Sequence, residues 1–183
     1  MLEVLAMAGL KNVHLDLGHV AIYRGLVAQA QLTEEQELEL FDILQRKSNS
    51  ELSDLLESYA VSAELKAIFL SLPKLNGDKS VLAIAQTIFA AADEAVKSAL
   101  AELLELADLL HAYYPELTIS FDLAELRGYH YHTGVVFSAF VPEMGKEIAR
   151  GGRYDNIGQI FGRARPATGF SADLKILAAL TKG

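Results

Sequence analysis

The chain has 183 residues, of which 51% are hydrophobic and 22% charged, so disordered and collagen-like architectures are excluded. Cysteine is absent, which excludes disulfides, thiolate zinc sites and a cysteine nucleophile. The net charge of −8 argues against a nucleic-acid binder, and no apolar run reaches the roughly 18 residues of a membrane span. With no basic and apolar leader visible, the sequence predicts a cytoplasmic protein that binds neither nucleic acid nor membrane.

Segment 1–31 is predicted to alternate between helix and strand. Leu2–Leu10 has the pattern of a helix end, apolar residues alternate over 12–17 as in a strand, and 20–30 has a helical pattern.

Segment 32–112 is predicted to be helical almost throughout. Thr33 and Gln36 have the spacing of a capping box, and Ser48 and Glu51 repeat it. The carboxylates of this segment are interpreted as lying on solvated helix faces, and the only function predicted for them is contact with a partner protein.

Segment 113–183 has a different composition and period. Strands are predicted at 117–123, 135–141, 147–150 and 167–172, followed by a helix at 173–181. The fold class is therefore predicted to be α+β, with a mostly antiparallel sheet beside a helical block. The segment holds five of the seven arginines, nine of the 13 glycines and ten of the 15 aromatic residues. This mixture favours a pocket for a small anionic or carboxylate-bearing ligand, although a sheet with solvated arginines has the same composition.

The sequence Arg-Gly-Tyr-His-Tyr-His-Thr-Gly at 127–134 is the first candidate motif. If it is extended, its tyrosines face one side of a strand and its histidines the other. A His-x-His pair can bind metal, but His111 is the one distant candidate for a third ligand, so no metal site is predicted. Arg127, beside a glycine, is predicted to clamp a carboxylate through two hydrogen bonds.

Two further motifs contain glycine. Gly151-Gly152, flanked by arginines, is interpreted as a turn whose backbone N–H groups could face an anion, or as an ordinary turn. Gly169 precedes a predicted helix with Asp173 as its N-cap. The sequence has no Gly-x-Ser-x-Gly, Walker A or His-Glu-x-x-His motif, which removes the common hydrolase, NTPase and metalloprotease interpretations.

In this order the three motifs resemble the histidyl-tRNA synthetase-like branch of the class II aminoacyl-tRNA synthetase fold. Residues 127–131 are similar to its histidine-binding Arg-Gly-Leu-Asp-Tyr-Tyr motif, 149–155 to its Ala-Gly-Gly-Arg-Tyr-Asp motif and 168–177 to its motif 3. The resemblance implies a synthetase-like core that starts at 1–31 and resumes at 113–183 around a helical insertion at 32–112. Motifs 1 and 2 are not found, so the chain is expected to match a C-terminal portion with an incomplete sheet.

The departures from this pattern point to one subfamily. The synthetase has an arginine for the ATP phosphates where this chain has Ile176. The motif 3 sequence and the Tyr-His-Tyr-His run resemble the regulatory subunit family of ATP phosphoribosyltransferase, a paralogue without aminoacylation activity. The resemblance implies a non-catalytic subunit, without cofactor, that the short-form catalytic subunit needs in the first step of histidine biosynthesis. It also implies feedback by histidine and self-association in the full-length protein.

The resemblance also implies a site for a histidine-like ligand, with no catalytic or metal-binding residues. Arg127 would meet the ligand's carboxylate, and Tyr131 and Tyr154 would form walls beside its imidazole; Tyr129 and His130 complete the predicted set. Two alternatives remain open, a fragment of an active histidyl-tRNA synthetase and a scaffold domain without ligand.

Overall fold

One sheet organises the computed structural model, which describes residues 1–156, 158–159 and 162–181. Within those residues six strands have the order β2-β3-β1-β4-β5-β6. They are β1 (His14–His19), β2 (Asn76–Gly77), β3 (Thr118–Asp122), β4 (Val135–Phe140), β5 (Ala149–Tyr154) and β6 (Ala167–Ala172). Strands β1 and β3 run parallel and every other neighbouring pair is antiparallel, which confirms the predicted α+β class.

Eight α-helices lie in the described ranges. They are α1 (Leu2–Met7), α2 (Val20–Gln29), α3 (Glu34–Gln45), α4 (Asn49–Ser58), α5 (Ala63–Ser71), α6 (Ser80–Ile88), α7 (Glu94–Tyr113) and α8 (Leu174–Leu180). The predicted capping box at Thr33 forms. The second one does not, because the Ser48 hydroxyl bonds the Glu51 carboxylate at 2.8 Å rather than a backbone N–H, although α4 begins there as predicted.

The core lies on one face of the sheet. Leu15 and Leu17 on β1 are 4% and 2% exposed and belong to one cluster with the buried residues of α2 to α7. Gly25 on α2 leaves room for Val96 of α7, since a Cβ at Gly25 would lie 2.7 Å from a Val96 methyl. Asp16, between the two leucines, projects from the opposite face because successive strand residues alternate.

Segment 32–112 contributes to the sheet as well as to the helices. Strand β2 pairs with the edge of β3, and α7 packs against α2 and β1. The division into 1–31, 32–112 and 113–183 stays a prediction. Residues 157, 160–161 and 182–183 of the last range lie outside the described residues.

The predicted turn at Gly151-Gly152 is wrong, because both glycines lie inside β5 and pair with β4 and β6. A Cβ at Gly151 would approach the Phe137 ring to 2.7 Å and overlap the Gly169 carbonyl oxygen. Glycine here allows close packing within the sheet. The pair does not form the turn expected to face an anion.

The run at 127–134 is a compact turn and not a strand, so its tyrosines and histidines do not alternate between two faces. The Tyr129 N–H donates to the Leu126 carbonyl at 3.0 Å, and the His132 N–H donates to the Gly128 carbonyl at 2.9 Å. Gly128 reverses the chain at a φ of +74°, a value that favours glycine. The Tyr-His alternation was therefore a misleading signal of strand.

Candidate functional site

A row of polar side chains crosses the sheet on the face opposite the core. Five residues from five strands pair directly across the ladder, in the order Ser120, Asp16, Ser138, Arg150 and Ser171. Sequence reasoning used the apolar alternation of β1 and missed the polar residues between. Those intervening positions were the available signal, because the face that is not buried must carry them.

The last four residues of this row, from Asp16 to Ser171, form the floor of what we call the polar cavity, and the turn at 127–132 closes one side. The cavity has a volume of about 280 Å³, at the small end for ligand sites. Its walls include Asp16, Glu125, Arg127, Tyr131, His132, Phe137, Ser138, Arg150, Tyr154 and Ser171. Both signs of charge and several rings therefore meet in a space of small-molecule size.

The guanidinium of Arg127 is already bound to two carboxylates. Its Nε and one terminal nitrogen donate to Glu125 at 2.9 and 2.6 Å, and the other terminal nitrogen donates to Glu147 at 2.9 Å. Hydrogen bonding to Glu125 raises the pKa of Arg127. A guanidinium has five N–H donors, so donors remain for a ligand carboxylate, but the predicted clamp would have to share the group with Glu125 and Glu147.

Asp16 lies at one end of the cavity floor, beside Ser138. Its Oδ1 accepts a hydrogen bond of 2.6 Å from the Ser120 hydroxyl, and the oxygen of that hydroxyl lies 2.7 Å from His14 Nε2. Burial raises the pKa of Asp16 above its ordinary value, and the nearby Asp122 and Glu125 act in the same direction. The carboxylate is thus fixed in position at some cost in desolvation.

Aromatic side chains form the remaining walls. Tyr131 stands at the rim and is 75% exposed. Tyr154 is half-buried and packs against His132, with ring centroids 4.7 Å apart and ring planes tilted by 44°. His132 Nδ1 is buried without a hydrogen-bond partner among the described residues, and burial lowers the pKa of this side chain.

Two of the five predicted site residues lie elsewhere. Tyr129 is 7% exposed, packs against Tyr23 and Phe41, and donates from its hydroxyl to Glu37 of α3. His130 is exposed, with its ring centroid 5.9 Å from that of Phe41. The structure therefore brings Arg127, Tyr131 and Tyr154 together and places the other two on the side of the turn that faces α3.

Arg24 on α2 is a site-supporting residue that sequence reasoning missed. One of its terminal nitrogens donates to the carbonyls of Tyr129 and His132, at 2.7 and 3.2 Å. No motif marks this arginine, because its partners are main-chain atoms of a turn more than 100 residues away in sequence. Its effect is to fix the turn that presents Arg127 and Tyr131 to the cavity.

The helix that follows β6 carries no cation at its third residue. Ile176 of α8 packs against a small second cluster of buried residues that includes Leu5 and Leu177. As predicted, Asp173 caps this helix, accepting from the N–H groups of Lys175 and Ile176 at 2.9 and 3.2 Å.

Neither a metal site nor a membrane span is found in the part of the chain that the structure describes. No three His, Asp or Glu side chains in that part cluster closely enough to hold a metal ion. None of the helices there is both long enough and apolar enough to cross a bilayer.

The family model for histidyl-tRNA synthetase matches residues 1–177. The ATP phosphoribosyltransferase regulatory subunit of Methylococcus capsulatus is 56% identical over 181 residues, which are 99% of this chain and 45% of that protein. The chain thus spans about half the length of the curated relatives that it matches.

Solved structures agree with this match. An ATP phosphoribosyltransferase regulatory subunit/histidyl-tRNA synthetase from Bacillus halodurans aligns with a TM-score of 0.85 and 28% identity, over all of this chain and 48% of that one. The ATP phosphoribosyl transferase (HisG:HisZ) complex from Thermotoga maritima shares the fold, with a TM-score of 0.69 and 17% identity over 93% of this chain and 58% of that one. The chain belongs to the histidyl-tRNA synthetase family, and curated relatives more than 50% identical to it include regulatory subunits of ATP phosphoribosyltransferase.

Proposed function

We propose that the chain is part of a non-catalytic regulatory subunit of ATP phosphoribosyltransferase that binds histidine in the polar cavity. In this role it acts in the cytoplasm, self-associates in its full-length form, and is required by a short-form catalytic subunit in the first step of histidine biosynthesis. Histidine bound in the cavity would carry feedback to that subunit as a coupling free energy, typically about 1–3 kcal/mol.

The observation that supports the subunit assignment most is the 56% identity with a regulatory subunit over 99% of this chain. The geometry supports the ligand. The cavity has room for one amino acid, and Arg127 retains donors for a carboxylate. Tyr131 and Tyr154 offer ring faces for an imidazole. Arg150 adds a second cation at the floor.

Ile176 supports a regulatory role over an active synthetase. A site that activates an amino acid with ATP needs cations on the phosphates, and an isoleucine packed into an apolar cluster supplies none. If the chain is part of an active synthetase instead, the full-length protein catalyses exchange of labelled pyrophosphate into ATP when histidine is present. We expect no exchange.

Histidine binding is tested by isothermal titration calorimetry on the wild type and on Arg127→Ala. We expect binding to the wild type and a loss of about tenfold or more in the variant, since a hydrogen-bonded charge contact is worth roughly 1.5–3 kcal/mol. Arg46→Ala, an exposed arginine at the end of α3, is the matched control and keeps wild-type affinity. Absence of heat with the wild type would exclude the cavity as a histidine site.

The partner is tested separately. The chain, and its full-length form, are co-purified with a short-form phosphoribosyltransferase, and activity is measured with and without histidine. We expect the full-length form to bind the enzyme, raise its activity and make it sensitive to histidine. An enzyme whose activity is the same with and without the full-length form would overturn the regulatory assignment.

A further inference from the structure

The carboxylates at the polar cavity differ in whether a cation neutralises them. Glu125 is held by Arg127 at 2.6 Å, and Glu147 bridges Arg127 and Arg150, each at 2.9 Å. Asp16 forms no ion pair with any residue in the described part of the chain. It is therefore the one cavity carboxylate in that part whose charge is left for a ligand.

Asp16 is also oriented by its neighbours. The single proton of the Ser120 hydroxyl goes to Asp16 Oδ1 at 2.6 Å, so His14 Nε2 must donate to Ser120 across their 2.7 Å separation. Asp16 Oδ2 has no hydrogen-bond partner among the described residues. One oxygen is thus anchored, while the other is free to accept.

A partly buried carboxylate without a cation is costly, and a bound cation offsets that cost. The groups around Asp16 do not supply one. Asp122 on β3 and Glu125 repel its carboxylate. Arg127 attracts it, but its guanidinium is already bound to Glu125 and Glu147. Lys47 pairs with Asp122 at 3.1 Å and not with Asp16. A positively charged group on the ligand fits this position.

We propose that Asp16 recognises the α-ammonium group of the bound amino acid, with Ser120 and His14 as positioning residues. This inference rests on the proposed histidine site. An α-amino acid carries its ammonium and carboxylate on the same carbon, so the groups that recognise them must be close together. Asp16 and Arg127 meet this condition, since both line one cavity of about 280 Å³ and interact electrostatically. At neutral pH the imidazole is mostly uncharged, which leaves the ammonium as the ligand's cation.

The test compares two ligands on two proteins by titration calorimetry. L-Histidine carries the ammonium, and imidazolepropionate is the same molecule without it. We expect the wild type to bind histidine at least about tenfold more tightly than imidazolepropionate, because the latter cannot offset the charge of Asp16. In Asp16→Asn we expect histidine to weaken about ten- to a hundredfold and the preference for histidine to disappear.

Two further variants separate recognition from folding. Ser120→Ala is expected to reduce the preference for histidine by several fold, an effect that a purely structural role would not produce because both ligands would weaken alike. Asp54→Asn removes a carboxylate at an exposed position on α4, outside the cavity lining, and keeps the wild-type preference. Thermal unfolding of each variant checks that it is folded.

The outcomes of this comparison are distinct. If Asp16→Asn keeps the wild-type preference for histidine, or weakens both ligands equally, Asp16 does not recognise the ammonium and the histidine site stands without this inference. If the wild type binds the two ligands equally, the inference is also overturned. If the wild type binds neither ligand, the proposed site itself fails, and this inference fails with it.

Discussion

Arg24 stacks its guanidinium carbon 4.7 Å above the centre of the Tyr129 ring and hydrogen-bonds the carbonyl of the same residue at 2.7 Å. The two contacts connect α2 to the turn that closes the polar cavity. Through Tyr129, whose hydroxyl donates to Glu37, the same turn is joined to α3. One face of the turn therefore presents residues to the cavity and the other is fixed to the helices.

Substitution of Arg24 by lysine tests this connection. Lysine keeps the charge but lacks the planar group that stacks on a ring while it bonds two carbonyls. We expect Arg24→Lys to lower the free energy of unfolding by about 1–2 kcal/mol and histidine affinity by about three- to tenfold. Urea unfolding and calorimetry measure the two effects. Arg46→Lys, at an exposed position, is the control; an equal effect there would contradict a specific role for Arg24.

Much of the fold was predictable because it is encoded locally. The Thr33 capping box, the apolar alternation around Leu15 and the Asp173 cap all act within a few residues of the chain. Strand β2 was missed because two residues, Asn76–Gly77, have no period of their own. They become a strand through pairing with β3, a contact made more than 40 residues away in sequence.

The site residues that belong to sequence motifs were predictable, whereas those that only the folded sheet and helices bring to the site were not. Arg127, Tyr131 and Tyr154 came from the motifs, and the structure brings them together. Asp16 and Arg24 have partners more than 100 residues away, so no local pattern marks them. The histidine-binding role of the five residues stays a prediction.

Gly128 is expected to be needed for the turn. Its φ of +74° disfavours any side chain, and a Cβ there would overlap the His132 ring. We expect Gly128→Ala to lower the free energy of unfolding by about 1–3 kcal/mol and to weaken histidine binding, because both the turn and His132 must shift. Equilibrium urea unfolding gives the first quantity.

Gly145→Ala is the matched control for this substitution. A Cβ at Gly145 meets nothing within 4 Å, and its φ lies outside the left-handed region. Its stability should stay within about 0.5 kcal/mol of the wild type. Equal losses in the two variants would mean that the turn at Gly128 tolerates a side chain.

The burial of the His19 side chain predicts how the free energy of unfolding depends on pH. The side chain is 4% exposed, and its Nδ1 accepts from the Ala21 N–H at 3.2 Å while its Nε2 lies 3.3 Å from Glu102. Burial lowers the pKa of His19 below its ordinary value. The unfolded chain therefore takes up a proton near pH 6.5, where the folded protein does not. The contribution of His19 to the free energy of unfolding is therefore complete above that pH and is lost as the pH falls below it.

The measurement is the free energy of unfolding in urea between about pH 5.5 and 7.5, where one such group contributes up to about 1.4 kcal/mol per pH unit. His19→Asn keeps an acceptor at the N-cap of α2 but does not titrate, so its slope should be smaller. A wild-type slope in His19→Asn would show that other groups cause the dependence.

Substitutions of Tyr129 and Tyr131 are expected to affect different quantities, the free energy of unfolding for Tyr129 and histidine affinity for Tyr131. Tyr129 is buried and its hydroxyl donates to Glu37, so Tyr129→Phe should cost about 1–2 kcal/mol of unfolding free energy and change histidine affinity less than about twofold. Tyr131 is 75% exposed at the cavity rim, so Tyr131→Ala should leave stability within about 0.5 kcal/mol and weaken histidine about tenfold. Urea unfolding and calorimetry on the same preparations measure both. If Tyr129→Phe weakens histidine binding as much as Tyr131→Ala, both tyrosines act on the ligand, as their shared motif suggests. The proposed division into a helix-facing Tyr129 and a cavity-facing Tyr131 would then be wrong.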